Sequence, residues 1–189
     1  VLILLGTRLP RPDDTEQKGK TRPLKELFSQ PKFLVAVLSA MAGYGVMAMV
    51  MTATPLAMTE GSGHQFSDAA FVIQWHVVGM FAPSFFTGSL IHRYGSVPII
   101  FTGILLNVLC IAINLAGTDV FNYWSSLILL GMGWNFMFVA GTTMVIETYS
   151  PAEKAIVQGV NDFLVFGTSA VSSLLAGVVH TTLGWRAVN

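Results

Sequence analysis

The sequence has few charged residues and only one cysteine. Of its 189 residues, 11% are charged and 53% are hydrophobic, whereas about a quarter of the residues in a soluble domain are charged. The single cysteine, Cys110, excludes a disulfide framework and a metal site built from cysteines. A formal net charge of zero argues against nucleic acid as a partner. This composition indicates a protein that lies in a membrane.

Motifs of intramembrane enzymes and of nucleotide-driven pumps are also missing. The sequence contains no H-E-x-x-H, G-x-S-x-G or G-x-x-x-x-G-K-[ST] pattern. Ser169 and His180 share a helix face, but about 16 Å of helical rise separates them. A nucleophile and its base must lie within hydrogen-bond reach. We therefore expect neither an enzyme nor a cofactor or metal site.

Five apolar stretches are long enough to cross a bilayer, which takes about 20 residues in a helix. The fold is therefore predicted to be an all-α, polytopic membrane protein. Residues 1–6 are interpreted as the end of an earlier span. Eleven of the twenty charges lie before residue 33, so residues 7–32 are predicted to form a solvated linker that ends in a short amphipathic helix at the membrane surface. The predicted spans are residues 33–58, 68–91, 97–116, 121–148 and 152–180.

Lysine and arginine are unevenly distributed among the loops. The first loop contains seven of them, and the loops near residues 59–67 and 117–120 contain none. Arg93 and Lys154 lie in the alternate loops, and only Arg186 departs from the pattern. Because cytoplasmic loops carry the excess of basic residues, residues 7–32 are predicted to be cytoplasmic, and the fifth span is predicted to end outside.

Two local patterns predict where helices begin or bend. The stretch Ser150-Pro-Ala-Glu153 has the form of a capping box with proline at the first helical position, which predicts the start of the fifth helix. Pro83 lies inside the second span and is expected to kink that helix, which frees a backbone carbonyl.

Two motifs carry a resemblance to a known family. The stretch Gly88-Ser-Leu-Ile-His-Arg93-Tyr-Gly95 resembles the G-x-L-x-D-R-x-G-R-R loop of major facilitator superfamily transporters, in the weaker copy of their second half. It differs in having His92 for the aspartate and Ser96-Val97 for the terminal basic pair. The stretch from Glu147 to Lys154 is similar to the E-x(2–3)-P-x-x-K/R pattern that ends the tenth helix of that family.

The resemblance implies a place in a twelve-helix fold. The chain would run from the end of helix 6 through helix 11, so that residues 33–189 form most of the C-terminal half and the N-terminal half is the missing partner. It also implies a secondary active transporter that moves a small solute or drug by alternating access, with protons as the candidate coupling ion, in a bacterial inner membrane. An uncoupled facilitator and a non-transporting sensor or scaffold remain the alternatives.

Asp162 is the one charge predicted to lie at membrane depth. Charges there cost at least about 2.5–3.5 kcal/mol on insertion scales, so it is a candidate for binding a proton or a cationic group. At about 100° per residue, Gln158, Ser169 and His180 fall on the same helix face. The alternative is a carboxylate that fixes helix packing through Asn161 or through a neighbour in the missing part of the transporter.

Other polar and aromatic residues within the spans are candidates for a substrate or proton pathway. His76, halfway along the second span, either accepts a proton or forms a hydrogen bond to a substrate, or holds two helices together. In the fourth span, Trp134 and Asn135 follow Gly131 and Gly133, and Trp134 is a candidate for stacking on a flat or cationic substrate. Close packing of that glycine-rich stretch is the alternative. Tyr44 lies between two glycines of the first span. It could point its phenol into the central cavity that the family resemblance implies.

Charged residues at the predicted cytoplasmic ends of three spans are candidates for a gate. The resemblance implies that Arg93, Glu147 and Lys154 form a cluster while the cytoplasmic side is closed and separate when it opens. The alternative is that each side chain extends independently to the membrane interface.

Overall fold

A computed structural model describes residues 21–189. Every regular element in this part of the chain is helical, which confirms the all-α fold. The helices are α1 Leu24–Phe28, α2 Pro31–Leu56, α3 Phe66–Phe81, α4 Ser84–Tyr94, α5 Ser96–Ala116, α6 Val120–Ile146, α7 Lys154–Leu183 and α8 Trp185–Val188, and a π-helical turn, Ala57–Gly61, extends α2. The predictions for residues 1–6 and for the first part of the linker concern residues outside the range 21–189.

Five helical stretches are long and apolar enough to cross a membrane, in agreement with the five predicted spans. Their ends lie within a few residues of those predicted from hydropathy, because a lipid-crossing helix is recognised by length and composition alone. They are Pro31–Gly61, Phe66–Tyr94, Ser96–Ala116, Val120–Ile146 and Lys154–Leu183.

The second span is broken at Pro83, as the sequence predicts. Helix α3 ends at Phe81, and α4 starts at Ser84. Proline has no amide hydrogen, and its ring clashes with the preceding turn, so a continuous hydrogen-bond ladder cannot pass through it. The two helices nevertheless form one membrane-crossing stretch.

The start of α7 differs from the prediction. The Glu153 carboxylate accepts a hydrogen bond of 2.9 Å from the Ser150 amide, as the glutamate of a capping box does. The helix itself begins only at Lys154, with Glu153 as its N-cap residue and no side-chain capping bond there. Pro151 therefore lies in a turn and not at the first helical position. The turn is closed by the Glu153 amide, which donates to the Ser150 carbonyl at 2.9 Å, and the Glu153 carboxylate also binds a second partner, Arg22.

Helix α6 is the centre of the bundle. It packs against α2, α3 and α5, while α7 packs mainly on α2. Asn114 of α5 accepts a hydrogen bond of 2.5 Å from Ser126 of α6, and Asn107 donates to the sulfur of Met137. These two amides therefore join α5 to α6 within the apolar interior, where an unpaired polar group would be costly.

Helix α1 lies where the sequence predicts a short amphipathic helix. Its apolar residue Leu27 is 1% exposed, and Phe28 lies against Phe33 of α2, with 5.3 Å between the ring centroids. The apolar side of α1 thus packs on the bundle. Its position relative to the membrane surface stays a prediction.

Candidate functional site

Glycines on both sides of Tyr44 let two other helices approach α2. A Cβ on Gly43 would lie 3.0 Å from the Cβ of Met137 in α6, and one on Gly45 would lie 3.1 Å from the methyl carbon of Thr168 in α7. Real Cβ atoms rarely come that close to neighbours in a well-packed interior. Tyr44 is consequently held between α6 and α7, near the middle of its own span.

Tyr44 forms the centre of an aromatic cluster. Its ring meets those of Trp134, Phe138 and Phe166 edge-on, at centroid distances of 5.2, 5.0 and 5.5 Å. Trp134 and Phe138 are one turn apart on α6 and stack nearly parallel, 5.3 Å apart at 10°. Phe81 lies edge-on to Trp134 at 6.3 Å. Edge-to-face and offset-stacked pairs of this kind are the preferred aromatic geometries.

The indole of Trp134 is buried without a hydrogen-bond acceptor. The residue is 5% exposed, and its Nε1 has no partner within residues 21–189. A buried N–H that has no acceptor is uncommon in native proteins and calls for a physical reason.

Asp162 lies on the side of α7 that the described residues leave uncovered. It is exposed, and its Oδ1 accepts a hydrogen bond of 3.0 Å from the Asn161 side chain. Asn161 itself is 3% exposed and faces α2. Gln158, one turn earlier, donates to the Tyr149 hydroxyl at 2.6 Å. The hydrogen bond with Asn161 agrees with the alternative in which Asp162 fixes helix packing. The carboxylate is nevertheless exposed, so a proton or a solute can reach it.

His76 occupies a packing position between α3 and α6. The residue is fully buried, and its Nδ1 donates to the backbone carbonyl of Leu127 at 2.8 Å. Its Nε2 has no partner among the described residues. Close to it, a Cβ on Gly131 would lie 2.7 Å from the His76 carbonyl oxygen. These contacts are those of a residue that joins two helices, and a role for His76 in a pathway stays a prediction.

Asn135 is hydrogen-bonded at the break in the second span. Its Nδ2 donates to the Met80 carbonyl at 2.8 Å and to the Ser84 hydroxyl at 2.7 Å. Its Oδ1 accepts from the Thr87 hydroxyl at 2.7 Å. The side chain therefore satisfies a carbonyl next to Pro83 and leaves no free group for a substrate in this arrangement.

The three predicted gate residues are not joined to one another by salt bridges in this part of the chain. Glu147 instead pairs with Lys32 at the start of α2. Arg93 lies over the ring of Tyr94, 5.2 Å from its centroid, and Lys154 is exposed at the start of α7. A cluster of Arg93, Glu147 and Lys154 in another conformation stays a prediction.

An ion pair between a half-buried arginine and a buried glutamate at the same end of the bundle was not predicted. Arg22 donates from two guanidinium nitrogens to the carboxylate of Glu153, at 2.8 and 2.9 Å, and from its backbone amide at 2.9 Å. Arg22 also donates to the Thr148 carbonyl at 2.8 Å. The hydrogen bonds from Arg22 and from the Ser150 amide hold the pKa of the Glu153 carboxyl well below its usual range.

The sequence predicts only part of the aromatic cluster. Trp134 and Tyr44 are candidate pathway residues from the sequence, whereas Phe138 and Phe166 are not. A signal was available, since Phe138 is four residues after Trp134 and Phe166 is four residues after Asp162, and residues at this spacing share a helix face. No group of three or more metal-ligating side chains occurs within residues 21–189.

Comparison with known proteins agrees with the motifs and the fold. The family model described as Major Facilitator Superfamily matches residues 1–167. The chain therefore belongs to the major facilitator superfamily, as the sequence resemblance predicted. It is a multi-pass membrane protein of a transporter family and not an enzyme. No solved structure matches the chain.

Three bacterial relatives match large parts of the chain. A protein of Brucella anthropi named riboflavin transporter RfnT is 44% identical over all 189 residues, which correspond to 47% of its length. The uncharacterized MFS-type transporters YddS and YdeG of Bacillus subtilis are 33% and 32% identical over 136 residues, or 71% of this chain and 31% of theirs. The chain thus spans about half or less of the length of these relatives.

Proposed function

We propose that the protein is a secondary transporter that moves riboflavin, or a small solute chemically close to it, across a bacterial plasma membrane. The observation that carries this proposal is the 44% identity to the Brucella anthropi riboflavin transporter along the entire chain. The two Bacillus subtilis relatives are also named as transporters. The proposal assigns residues 31–188 to one half of the transporter, which binds the solute together with a second half.

Alternating access is supported by the surface of α7. Helix α7 packs mainly on α2, and most of its membrane-crossing part is not covered by the described residues. One of the uncovered residues is Asp162, and a carboxylate does not face lipid at low cost. The uncovered face is therefore suited to a water-filled path or to the other half of the transporter.

Proton coupling is proposed to act through Asp162. An ionised carboxylate at this depth is stabilised by water or by a cationic partner, and protonation removes its charge when the path closes around it. Its neighbour Asn161 donates one hydrogen bond and leaves the second carboxylate oxygen free for a proton. His76 is not part of this proposal, because it is fully buried and bonded to the Leu127 carbonyl.

The substrate assignment is tested by growth and uptake. The protein, expressed with all flanking sequence that its gene encodes, is placed in a bacterium that can neither make nor import riboflavin. We expect growth on low concentrations of the vitamin and saturable uptake of labelled riboflavin. Normal membrane expression without uptake would show that riboflavin is not the solute.

Coupling is tested with Asp162→Asn, which keeps the shape of the side chain and removes its charge. Asp119→Asn is the matched control, because it makes the same chemical change at the N-cap residue of α6, whose side chain makes no capping hydrogen bond. We expect the Asp162 variant to equilibrate riboflavin without accumulating it against a gradient when a proton gradient is imposed on vesicles. The control should accumulate it normally.

Two outcomes would contradict the coupling proposal. Accumulation by Asp162→Asn at the wild-type level would exclude a role for this carboxylate in coupling. Equilibration without accumulation by the wild type would identify an uncoupled facilitator, for which Asp162 serves substrate binding alone.

A further inference from the structure

The aromatic cluster lies at the depth where a solute is held halfway across the membrane. Its members are Tyr44, Phe81, Trp134, Phe138 and Phe166, and each lies near the middle of its membrane-crossing stretch. They come from four different helices. Transporters of alternating access hold their solute near the midplane, between elements that move relative to one another.

The cluster is open on one side. Trp134 is buried, Tyr44 and Phe138 are half-buried, and Phe166 is 52% exposed. Phe166 lies one turn from Asp162, about 40° away around the helix. Because the carboxylate cannot face lipid at low cost, the open side of the cluster faces the same polar surface as Asp162.

A second exposed aromatic residue of α7, Phe163, is not part of the cluster. Phe163 is 78% exposed on α7, about 100° around the helix from Asp162. It makes no aromatic pair within residues 21–189, whereas Phe166 on the same helix meets Tyr44. The two exposed phenylalanines of α7 therefore differ in that Phe166 contacts the cluster and Phe163 does not.

A second observation indicates that the cluster is incomplete. The Nε1 hydrogen of Trp134 has no acceptor within the described residues, and of the three such indoles (Trp124, Trp134 and Trp185) Trp134 alone lies near the middle of a membrane-crossing stretch. A ligand with a ring carbonyl or ring nitrogen at its edge supplies an acceptor for this donor, once a neighbouring ring turns aside.

We infer that this cluster is the binding site for the planar ring of the solute, and that the solute is a conjugated heterocycle with hydrogen-bond acceptors at its edge. The ring stacks on the cluster from its open side next to Phe166, once the Tyr44 ring, which contacts Trp134, Phe138 and Phe166 directly, turns aside. Aromatic stacking favours flat, polarizable rings over aliphatic solutes of equal size. This inference rests on the proposed function and deepens it by naming the part of the solute that the aromatic cluster binds.

Binding is tested with Phe166→Leu and its matched control Phe163→Leu. Both residues lie on α7 and both are exposed, so neither substitution removes a buried side chain. Riboflavin is the probe, added to the purified protein in nanodiscs, and the quenching of its fluorescence reports stacking. We expect the Phe166 variant to bind about ten-fold more weakly, and the control to bind within about two-fold of the wild type.

Ring recognition is tested by competition against labelled riboflavin. Lumichrome, which keeps the tricyclic ring and lacks the sugar alcohol, should compete, and ribitol should not. Tyr44→Phe, which keeps the ring and removes the hydroxyl, should bind within about three-fold of the wild type, whereas Tyr44→Leu should lose at least ten-fold.

The outcomes separate this inference from the proposed function. If the wild type transports riboflavin and Phe166→Leu and Tyr44→Leu bind as tightly as the wild type, the ring is bound elsewhere and the inference is wrong. If the wild type transports no riboflavin but binds lumichrome with the expected loss in both variants, the inference holds and the riboflavin assignment fails. Competition by ribitol alone would also overturn the inference.

Discussion

A single carboxylate, Glu153, ties the linker to the bundle. Its side chain is 1% exposed and receives hydrogen bonds from Arg22 and from the Ser150 amide. The nearby pair of Lys32 and Glu147 is about half exposed on both sides, and such surface pairs contribute little because water competes for both charges. The pair of Arg22 and Glu153 therefore holds the linker against the bundle, whereas the exposed pair of Lys32 and Glu147 contributes little.

Substitution of Glu153 by Gln should release the linker. Gln cannot offer two charged oxygens to the guanidinium, so the contact between Arg22 and the loop before α7 weakens. We expect the amide protection of residues 24–29, measured by hydrogen exchange, to fall by about five-fold or more. Glu60→Gln, in an exposed position of the π-helical turn, is the control and should leave the protection unchanged.

The same contact has a defined pH dependence. Because the folded state lowers the pKa of Glu153, its contribution is present above the ordinary glutamate range and is lost only as the pH falls below that range. Protection of residues 24–29 in the wild type, corrected for intrinsic exchange, should thus be constant between about pH 5 and pH 8. A decrease over this interval that the Gln variant lacks would contradict the assignment.

At the scale of elements, Asn135 joins α6 to the break between α3 and α4. Proline at residue 83 interrupts the hydrogen-bond ladder between α3 and α4, and at this break the Met80 carbonyl accepts a hydrogen bond from the Asn135 side chain. Asn135 also donates to the Ser84 hydroxyl and accepts from the Thr87 hydroxyl. One side chain of α6 therefore contacts both halves of the second span where they meet.

Asn135→Leu should destabilise the fold while keeping the size of the side chain. The Met80 carbonyl and the two hydroxyls would lose a buried partner, which costs about 1–3 kcal/mol. We expect a lower Tm for the purified protein. Asn122→Leu is the comparison, since Asn122 makes one long hydrogen bond of 3.4 Å near a helix end. Equal melting temperatures for the two variants would show that Asn135 does not stabilise the break.

Elements were predictable from the sequence to different degrees. The five spans and the break at Pro83 follow from local composition, because lipid imposes a length and proline removes a donor. The ion pair of Arg22 with Glu153 joins residues 131 positions apart. Likewise, the contact of Tyr44 with Phe166 depends on how α7 packs on α2. Neither of these two contacts leaves a local pattern in the sequence. Candidate residues can therefore be identified one at a time from the sequence, but the contacts between them cannot.

At the scale of the whole molecule, orientation in the membrane rests on the distribution of basic residues. Residues 92–96 and 149–155 lie at the end of the bundle that holds Arg22 and Lys32, and Thr118 lies in a loop at the other end. The lone Cys110 is fully buried, which makes the chain suitable for labelling single introduced cysteines.

Labelling should show which end faces the cytoplasm. In a Cys110→Ala background, Thr118→Cys should react with a membrane-impermeant maleimide in intact cells. Ala155→Cys, at an exposed position in the first turn of α7, should react only after the membrane is permeabilised. Both predictions follow from the excess of Lys and Arg in cytoplasmic loops. The reverse pattern would show that the orientation is inverted.

The contact surface between α2 and α7 has a mechanical consequence. Gly45 lies against Thr168 and Ser172, and one hydrogen bond of 3.4 Å, between Thr52 and Ser173, joins these two helices within the described residues. Small side chains around Gly45 let the two helix backbones approach closely, whereas the rings of Tyr44 and Phe166 meet edge-on next to them. A shift of α7 along α2 therefore breaks one side-chain hydrogen bond and separates one aromatic pair, so that the position of α7 and the shape of the aromatic cluster change together.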